Sequence, residues 1–125
     1  MNLLILSDLH IGANDKFDTF KWSADDFINS LKIVIREENI DKVILNGDIF
    51  ELYKYTWGEI ENVNQKLIDF FRESKFVFIK GNHYAVLPFG ENSWSLKNSR
   101  GKEISIEHGH VVDFMSGITI GRKIQ

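Results

Sequence analysis

The stretch Lys42-Val43-Ile44-Leu45-Asn46-Gly47-Asp48-Ile49-Phe50-Glu51 decides the fold, because a short apolar run in it ends abruptly at a glycine and a carboxylate. A continuous apolar run of this length is typical of a strand that is buried on both faces. The same pattern occurs in residues 3–6, which lead into Ser7-Asp8, and in residues 76–80, which lead into Gly81-Asn82-His83. We therefore predict three buried strands with polar residues at their carboxyl ends.

Helical patterns fill the two intervals between these strands. Ser23 is a suitable N-cap and acidic residues follow it, so we predict a helix from Ser23 to about Glu38. A single second amphipathic helix is predicted from apolar residues at helical spacing, namely Ile60, Val63, Leu67, Phe70 and Phe71. Strands that alternate with helices over short links indicate right-handed crossovers and a parallel sheet.

The last third of the chain has a different pattern. Residues 93–96 and 103–106 alternate polar and apolar side chains, and they predict a hairpin around residues 98–101. The sequence shows neither an internal repeat nor an interdomain linker. Residues 1–125 are therefore predicted to form a single α/β domain.

Composition excludes several functional classes. The 125 residues carry a formal net charge of −3, which argues against a broad basic surface for nucleic acid. Cysteine is absent, so disulfide frameworks, zinc ribbons and thiol nucleophiles are excluded. The sequence shows no signal-peptide pattern and no run near the roughly 20 apolar residues of a membrane span, and we expect a cytoplasmic protein.

Metal-type ligands follow four of the predicted strands. They are Asp8 and His10 after the first, Asp48 after the second, Asn82 and His83 after the third, and His108 and His110 after residues 103–106. Ligands of open α/β sheets bind beyond the carboxyl ends of the strands, so these side chains would converge if the strands are neighbours. Their donor atoms suit Mn, Fe, Zn, Co or Ni. A carboxylate between two such sites could bridge two cations, and Asp48 is the natural candidate.

Each of these clusters has a simpler explanation when taken alone. A lone Asp at a strand end usually caps a helix or stabilises a turn. Gly81-Asn82-His83 could equally form a turn, and His108-Gly109-His110 could be a solvated loop. Four clusters in this order, each at the end of an apolar run, are not readily explained by chance. The combination therefore predicts a metal site.

These clusters together resemble the calcineurin-like metallophosphoesterase family. The family's D-x-H, G-D-x-x-D/E, G-N-H and H-G-H blocks are matched by Asp8-Leu9-His10, Gly47-Asp48-Ile49-Phe50-Glu51, Gly81-Asn82-His83 and His108-Gly109-His110. The resemblance covers nearly the whole chain, from Asp8 to about Asp113. It implies a two-sheet β-sandwich flanked by helices, in αββα order, and hydrolysis of phosphate monoesters or diesters.

The resemblance also implies a role for each matched residue. Two divalent cations, most often manganese, would carry a bridging hydroxide that attacks phosphorus. The metal ligands would be Asp8 and His10 on the first cation, Asp48 on both, and Asn82 and His108 on the second, with His110 as an additional metal or phosphate contact. His83 would protonate the leaving oxygen, and Glu51 matches the acid that orients this histidine.

Two positions depart from the family pattern. Tyr84 follows His83 where the family usually has Asp or Glu, and no Gly-His-x-His block occurs after Asp113. We expect the domain to be truncated on its C-terminal side or to be a natural short form. A missing C-terminal segment or a partner chain in a homo-oligomer would then complete the site.

Three functions stay open on the sequence alone. The first is a metal-dependent phosphoesterase, and the second is a nuclease of the DNA-repair type, which shares these blocks but is disfavoured by the acidic balance. The third is a weakly active or inactive fold that serves as a binding or assembly module. Aromatic residues after Glu51 also resemble a subgroup that includes lipid-precursor pyrophosphate hydrolases. Tyr53, Tyr55 and Trp57 could line a substrate pocket there, although such residues often simply pack the rim of a site.

Overall fold

The computed structural model describes residues 1–80, 87–97, 100–101, 103–107, 110–113 and 120–124. Three helices are present in these ranges: α1 (Ala24–Glu37), α2 (Trp57–Val63) and α3 (Gln65–Phe71). The strands there are β1 (Leu3–Leu6), β2 (Lys42–Asn46), β3 (Phe76–Ile79), β4 (Ser93–Lys97), β5 (Glu103–Glu107), β6 (His110–Asp113) and β7 (Ile120–Ile124). The three predicted buried strands are confirmed as β1, β2 and β3.

The described strands form two sheets. A four-stranded sheet has the order β3-β2-β1-β7, and all of its neighbouring strands are parallel. A three-stranded antiparallel sheet has the order β4-β5-β6, so the predicted hairpin is confirmed as β4 and β5. Because β1 and β2 are adjacent, the residues that follow them emerge side by side at one edge of the sheet.

Apolar clusters on both faces of the parallel sheet explain why its strands are apolar throughout. One cluster joins the helices to the strands through buried side chains such as Leu31, Leu45 and Phe71. The other contains Ile5, Ile44, Val77 and Ile79 of the parallel sheet with Ile104 and Ile106 of β5. Helices therefore cover one face and the second sheet covers the other, a mixed α/β arrangement consistent with the fold that the resemblance implies.

The first predicted helix is confirmed, whereas the second is divided. Ser23 caps α1 by accepting the backbone N–H of Asp26 at 3.1 Å. The predicted single helix over residues 60–71 is wrong, because α2 ends at Val63 and α3 begins at Gln65. Asn64 lies between them at φ −122°, and its side-chain amide donates to the backbone oxygens of Ile60 and Gly12. None of the helices in the described ranges is both long enough and apolar enough to cross a membrane.

Two strands near the end of the chain were not predicted. β6 extends the antiparallel sheet, and its register places His110 opposite Glu107. β7 lies parallel to β1, with Leu3 opposite Ile120. The sequence of this region also offers four apolar residues suited to packing on a sheet face or in a dimer, namely Phe114, Met115, Ile118 and Ile120. Of these, Ile120 begins β7, whereas Phe114, Met115 and Ile118 lie outside the described residues.

Candidate metal centre

Asp8, His10 and Asp48 form one group at the carboxyl edge of the parallel sheet. Each offers one ligand atom, and these atoms all lie within 4.8 Å of one another. The side chains of Asp8 and His10 are 47% and 38% exposed, so a solvent-borne ion has access to them. The sequence prediction that the ends of β1 and β2 converge is thus confirmed by the geometry of these three residues.

The backbone at this group has an unusual conformation. Asp8, His10 and Asp48 have φ values of 58°, 53° and 53°, in the left-handed region that residues other than glycine rarely adopt. Only two other non-glycine residues in the described ranges do so, Asn14 and Asn39. Such conformations cost on the order of 1–3 kcal/mol each and cluster at functional sites. The surrounding structure must therefore hold the three residues in place.

Backbone hydrogen bonds between the loops after β1 and β2 provide this support. Asp8 donates its backbone N–H to the Gly47 oxygen at 3.0 Å, and His10 donates to the Asp48 oxygen at 2.9 Å. Beyond them, Ile11 and Ile49 are fully buried, and the Ile11 N–H donates to the Ile49 oxygen at 2.8 Å. Each ligand-bearing loop is thus anchored on both sides, and the ligands project from a rigid edge.

The donor set and its spacing fit a transition-metal cation. Two ligands that each bond one ion at about 2.1 Å lie at most about 4.2 Å apart, so a small contraction would close this group on an ion. Ser7 Oγ donates to Asp8 Oδ2 at 2.8 Å, and Asp8 Oδ1 is the oxygen near His10, 3.9 Å from Nε2. Carboxylates with an imidazole suit Mn, Fe or Zn. Three donors leave coordination positions for further ligands.

A comparison of the sequence with models of known protein families identifies the family of this chain. The family model of the calcineurin-like phosphoesterases matches residues 1–124. The chain belongs to this family. Searches among curated proteins and solved structures gave no match. The metal-dependent character of the family agrees with the ligand group formed by Asp8, His10 and Asp48.

The family's remaining site residues lie mostly outside the described ranges. Asn82, His83 and His108 lie outside these ranges. For His110, the structure describes the backbone, which belongs to β6, but not the side chain. Their assignments as ligands, proton donor and additional contact therefore stay predictions. β3, which precedes Asn82 in the sequence, lies next to β2, and β2 precedes Asp48.

The residues on either side of positions 81–86 are firmly anchored. Lys80 donates its backbone N–H to the Glu91 oxygen at 2.9 Å, and Glu91 donates to the Phe78 oxygen at 2.7 Å. Gly90 has φ 112°, and an added Cβ there would lie 3.1 Å from side-chain atoms of Lys80 and Phe78. The close approach of these two segments thus requires glycine at position 90.

Glu51 of the G-D-x-x-E block lies next to His10. Its Oε2 is 2.9 Å from His10 Nδ1, and its side chain is only 14% exposed. The predicted pairing of Glu51 with His83 involves a residue outside the described ranges and stays a prediction. The Glu51–His10 contact was not anticipated, because 41 residues separate the partners and no local pattern joins them.

The polar loop that follows His10 is held together by the carboxylate of Asp18. Asp18 is buried, and its carboxylate accepts backbone N–H groups from Gly12, Asn14 and Phe20. An added Cβ at Gly12 would lie 2.5 Å from Tyr55 Cε2, so this position requires glycine. The clue in the sequence is the Asp- and Asn-rich composition of residues 14–18, which favours side-chain bonds to nearby backbone.

The aromatic residues after Glu51 have different environments. Tyr55 is buried, and Trp57 packs edge-on against Phe50 and Phe89 at centroid distances of 5.1 and 5.8 Å. Tyr53, by contrast, is 79% exposed. Tyr55 and Trp57 thus pack against neighbouring residues of the fold, which agrees with the simpler of the two sequence interpretations.

A cavity of about 410 Å³ lies elsewhere, between the loop before α1 and the α2–α3 junction. Neither the three grouped ligands nor Glu51 line it. Two of its polar side chains, Asp18 and Asn64, are already bonded to backbone groups of the Gly12 loop. The metal group, rather than this cavity, is therefore the candidate site.

The contact between Asp15 and Tyr55 predicts a pH dependence of stability. The Tyr55 hydroxyl donates to Asp15 Oδ1 at 2.6 Å. This bond lowers the pKa of Asp15 and raises the pKa of Tyr55 to about 12. Because the pKa of Asp15 is lowered on folding, the bond stabilises the folded chain at pH values above the usual pKa of 3.8. This stabilisation is lost as the pH falls through the folded pKa. The raised tyrosine pKa contributes stability below 10.0, lost as the pH rises toward about 12.

A double-mutant cycle checks this dependence. We expect Tyr55→Phe and Asp15→Asn each to lower the free energy of unfolding at neutral pH, and the double variant to lose less than their sum. The coupling between the two residues should shrink above about pH 10, because Tyr55 then ionises in the unfolded chain while its folded pKa is about 12. Urea unfolding of the wild type, the two single variants and the double variant at about pH 7 and about pH 11 measures this coupling. A coupling that is equal at both values would contradict the prediction.

Proposed function

We propose that this chain is a metal-dependent phosphoesterase that hydrolyses phosphate monoesters or diesters with two divalent cations. The observation that carries the proposal is the convergence of Asp8, His10 and Asp48 within 4.8 Å, in a chain that matches the phosphoesterase family over residues 1–124. Manganese is the first choice of cation, with iron, zinc, cobalt or nickel as alternatives that suit the same donors.

The proposed ligand set extends the group seen at the sheet edge. Asp8 and His10 would hold the first cation, and Asp48 would hold both. Asn82 and His108 would complete the second position, with His110 as an additional contact. When bound, two such cations lower the pKa of a water molecule and neutralise charge on the phosphoryl oxygens.

The chain's own residues would position the ligands and supply the proton for the leaving group. The left-handed backbone at Asp8, His10 and Asp48 aims the ligands before any ion binds, which reduces the cost of ordering them. His83 would donate a proton to the leaving oxygen, a role suited to a group that titrates near neutral pH. Its place in the Gly-Asn-His block, after the strand next to β2, supports this assignment.

Manganese titration of the purified chain by calorimetry tests the proposal, with hydrolysis of bis-p-nitrophenyl phosphate and p-nitrophenyl phosphate followed in the same samples. We expect two equivalents of manganese to bind and hydrolysis to appear as the second one binds. Metal-free apoprotein and calcium-loaded protein serve as controls for background turnover. Binding of fewer than two ions with no hydrolysis of either ester would overturn the proposal.

A further inference from the structure

Glu51 and His10 are held together by more than their side chains. Glu51 donates its backbone N–H to the Ile11 oxygen at 2.9 Å, so it is bound to the residue directly after His10. Its own backbone oxygen accepts the N–H of Tyr55 at 3.2 Å, and the neighbouring Phe50 is fully buried. The carboxylate is therefore carried on a fixed backbone, and its contact with the imidazole is built into the fold.

This contact determines which ring nitrogen of His10 carries hydrogen. An ionised carboxylate accepts hydrogen bonds and cannot donate them, so Nδ1, at 2.9 Å from Oε2, must be the protonated nitrogen. Nε2 is then left with a free electron pair. It lies on the side of Asp8, 3.9 Å from Oδ1, where the ligand atoms converge.

The ring needs such a constraint. The His10 side chain is 38% exposed, so water can compete for either nitrogen. The Glu51 side chain is 14% exposed, and a carboxylate with so little access to water forms a stronger and more directional bond. A carboxylate that accepts from the second ring nitrogen is the general arrangement by which proteins fix a metal-binding histidine.

We propose that Glu51 is a positioning residue for His10, which holds the ring with Nδ1 protonated so that Nε2 faces Asp8. The purpose of this positioning, to present a nitrogen to a cation, rests on the proposed function. The protonation pattern itself does not, because it is a property of the metal-free chain. The two can therefore fail separately.

Nitrogen-15 NMR of the histidine rings in the metal-free chain is the first test. At about pH 9, where ordinary histidines are neutral, the two ring nitrogens give distinct signals that identify the protonated one. The chain has four histidines, and a His10→Gln variant assigns the signals of His10. We expect His10 to carry hydrogen on Nδ1 in the wild type. Hydrogen on Nε2 would overturn the proposal.

Variants at position 51 supply the second test. Glu51→Ala should release the ring to a mixture of the two tautomers and weaken manganese binding by about 10–100-fold. Glu51→Gln keeps the size of the side chain, but its amide can either accept from Nδ1 or donate to it, so this variant should admit both tautomers and bind manganese more weakly than the wild type. Glu73→Ala, at an exposed acidic position, is the matched control and should change neither the tautomer of His10 nor the manganese affinity. If Glu51→Ala fails to fold, the glutamine variant decides, because an unchanged tautomer together with an unchanged manganese affinity in Glu51→Gln would contradict the proposal.

The combined outcomes separate the two proposals. A tautomer that depends on Glu51, in a chain that hydrolyses no phosphate ester, would support the positioning and overturn the proposed function. Hydrolysis by the wild type, together with unchanged tautomer and unchanged manganese affinity in Glu51→Ala, would overturn the positioning and leave the phosphoesterase proposal intact.

Discussion

Replacing Asp48 by asparagine is expected to abolish the binding of a second cation and to reduce ester hydrolysis by more than about 100-fold, since changes outside the ligand shell already cost 10–100-fold. A carboxylate has two charged oxygens that can bond two cations, whereas an amide has one neutral oxygen. Asparagine tolerates the left-handed backbone at position 48, where φ is 53°, so the fold should survive. The loss would therefore come from the ligand.

Metal content after dialysis, calorimetric stoichiometry and hydrolysis rate measure this effect in parallel. Asp26→Asn makes the same charge change at an exposed position in the first turn of α1, and it should leave all three quantities unchanged. Thermal unfolding of both variants shows whether the fold is retained. Two bound ions and full activity in Asp48→Asn would remove Asp48 from the bridging role.

The parts of the fold that could be predicted from the sequence are those set by local pattern. β1, β2 and β3 follow continuous apolar runs because both faces of the parallel sheet are covered, by helices on one side and by β5 on the other. The cap at Ser23 is equally local, since its partner Asp26 is three residues away. Convergence of Asp8 and Asp48 followed from strand adjacency, which short crossovers favour.

The parts that escaped prediction depend on partners distant in sequence. Asn64 interrupts an otherwise periodic segment because its side chain bonds the Gly12 oxygen, 52 residues away. β7 pairs with β1 although the two strands lie near opposite ends of the sequence. Its sequence, Ile-Gly-Arg-Lys-Ile, lacks the continuous apolar run that predicts a buried parallel strand. The Glu51–His10 contact belongs to the same class, because 41 residues separate the two partners. The resemblance to the family implied His83, and not His10, as the partner of Glu51.

His83 provides the second large effect. His83→Ala is expected to leave both cations bound and to slow turnover by about 10²–10⁴-fold, the usual contribution of a positioned proton donor. The loss should depend on the ester. A leaving group that departs readily as an anion needs little protonation, whereas an alkyl or weakly acidic aryl alcohol depends on it strongly.

A series of aryl phosphodiesters with leaving groups of increasing pKa measures this dependence. The logarithm of the rate should fall more steeply with leaving-group pKa in His83→Ala than in the wild type, while metal content stays at two. His83→Asn should behave like the alanine variant, because an amide keeps polarity and hydrogen bonding but cannot supply a proton at neutral pH. Equal slopes with reduced metal content would identify His83 as a ligand, and the proton would then have to come from a different group or from water.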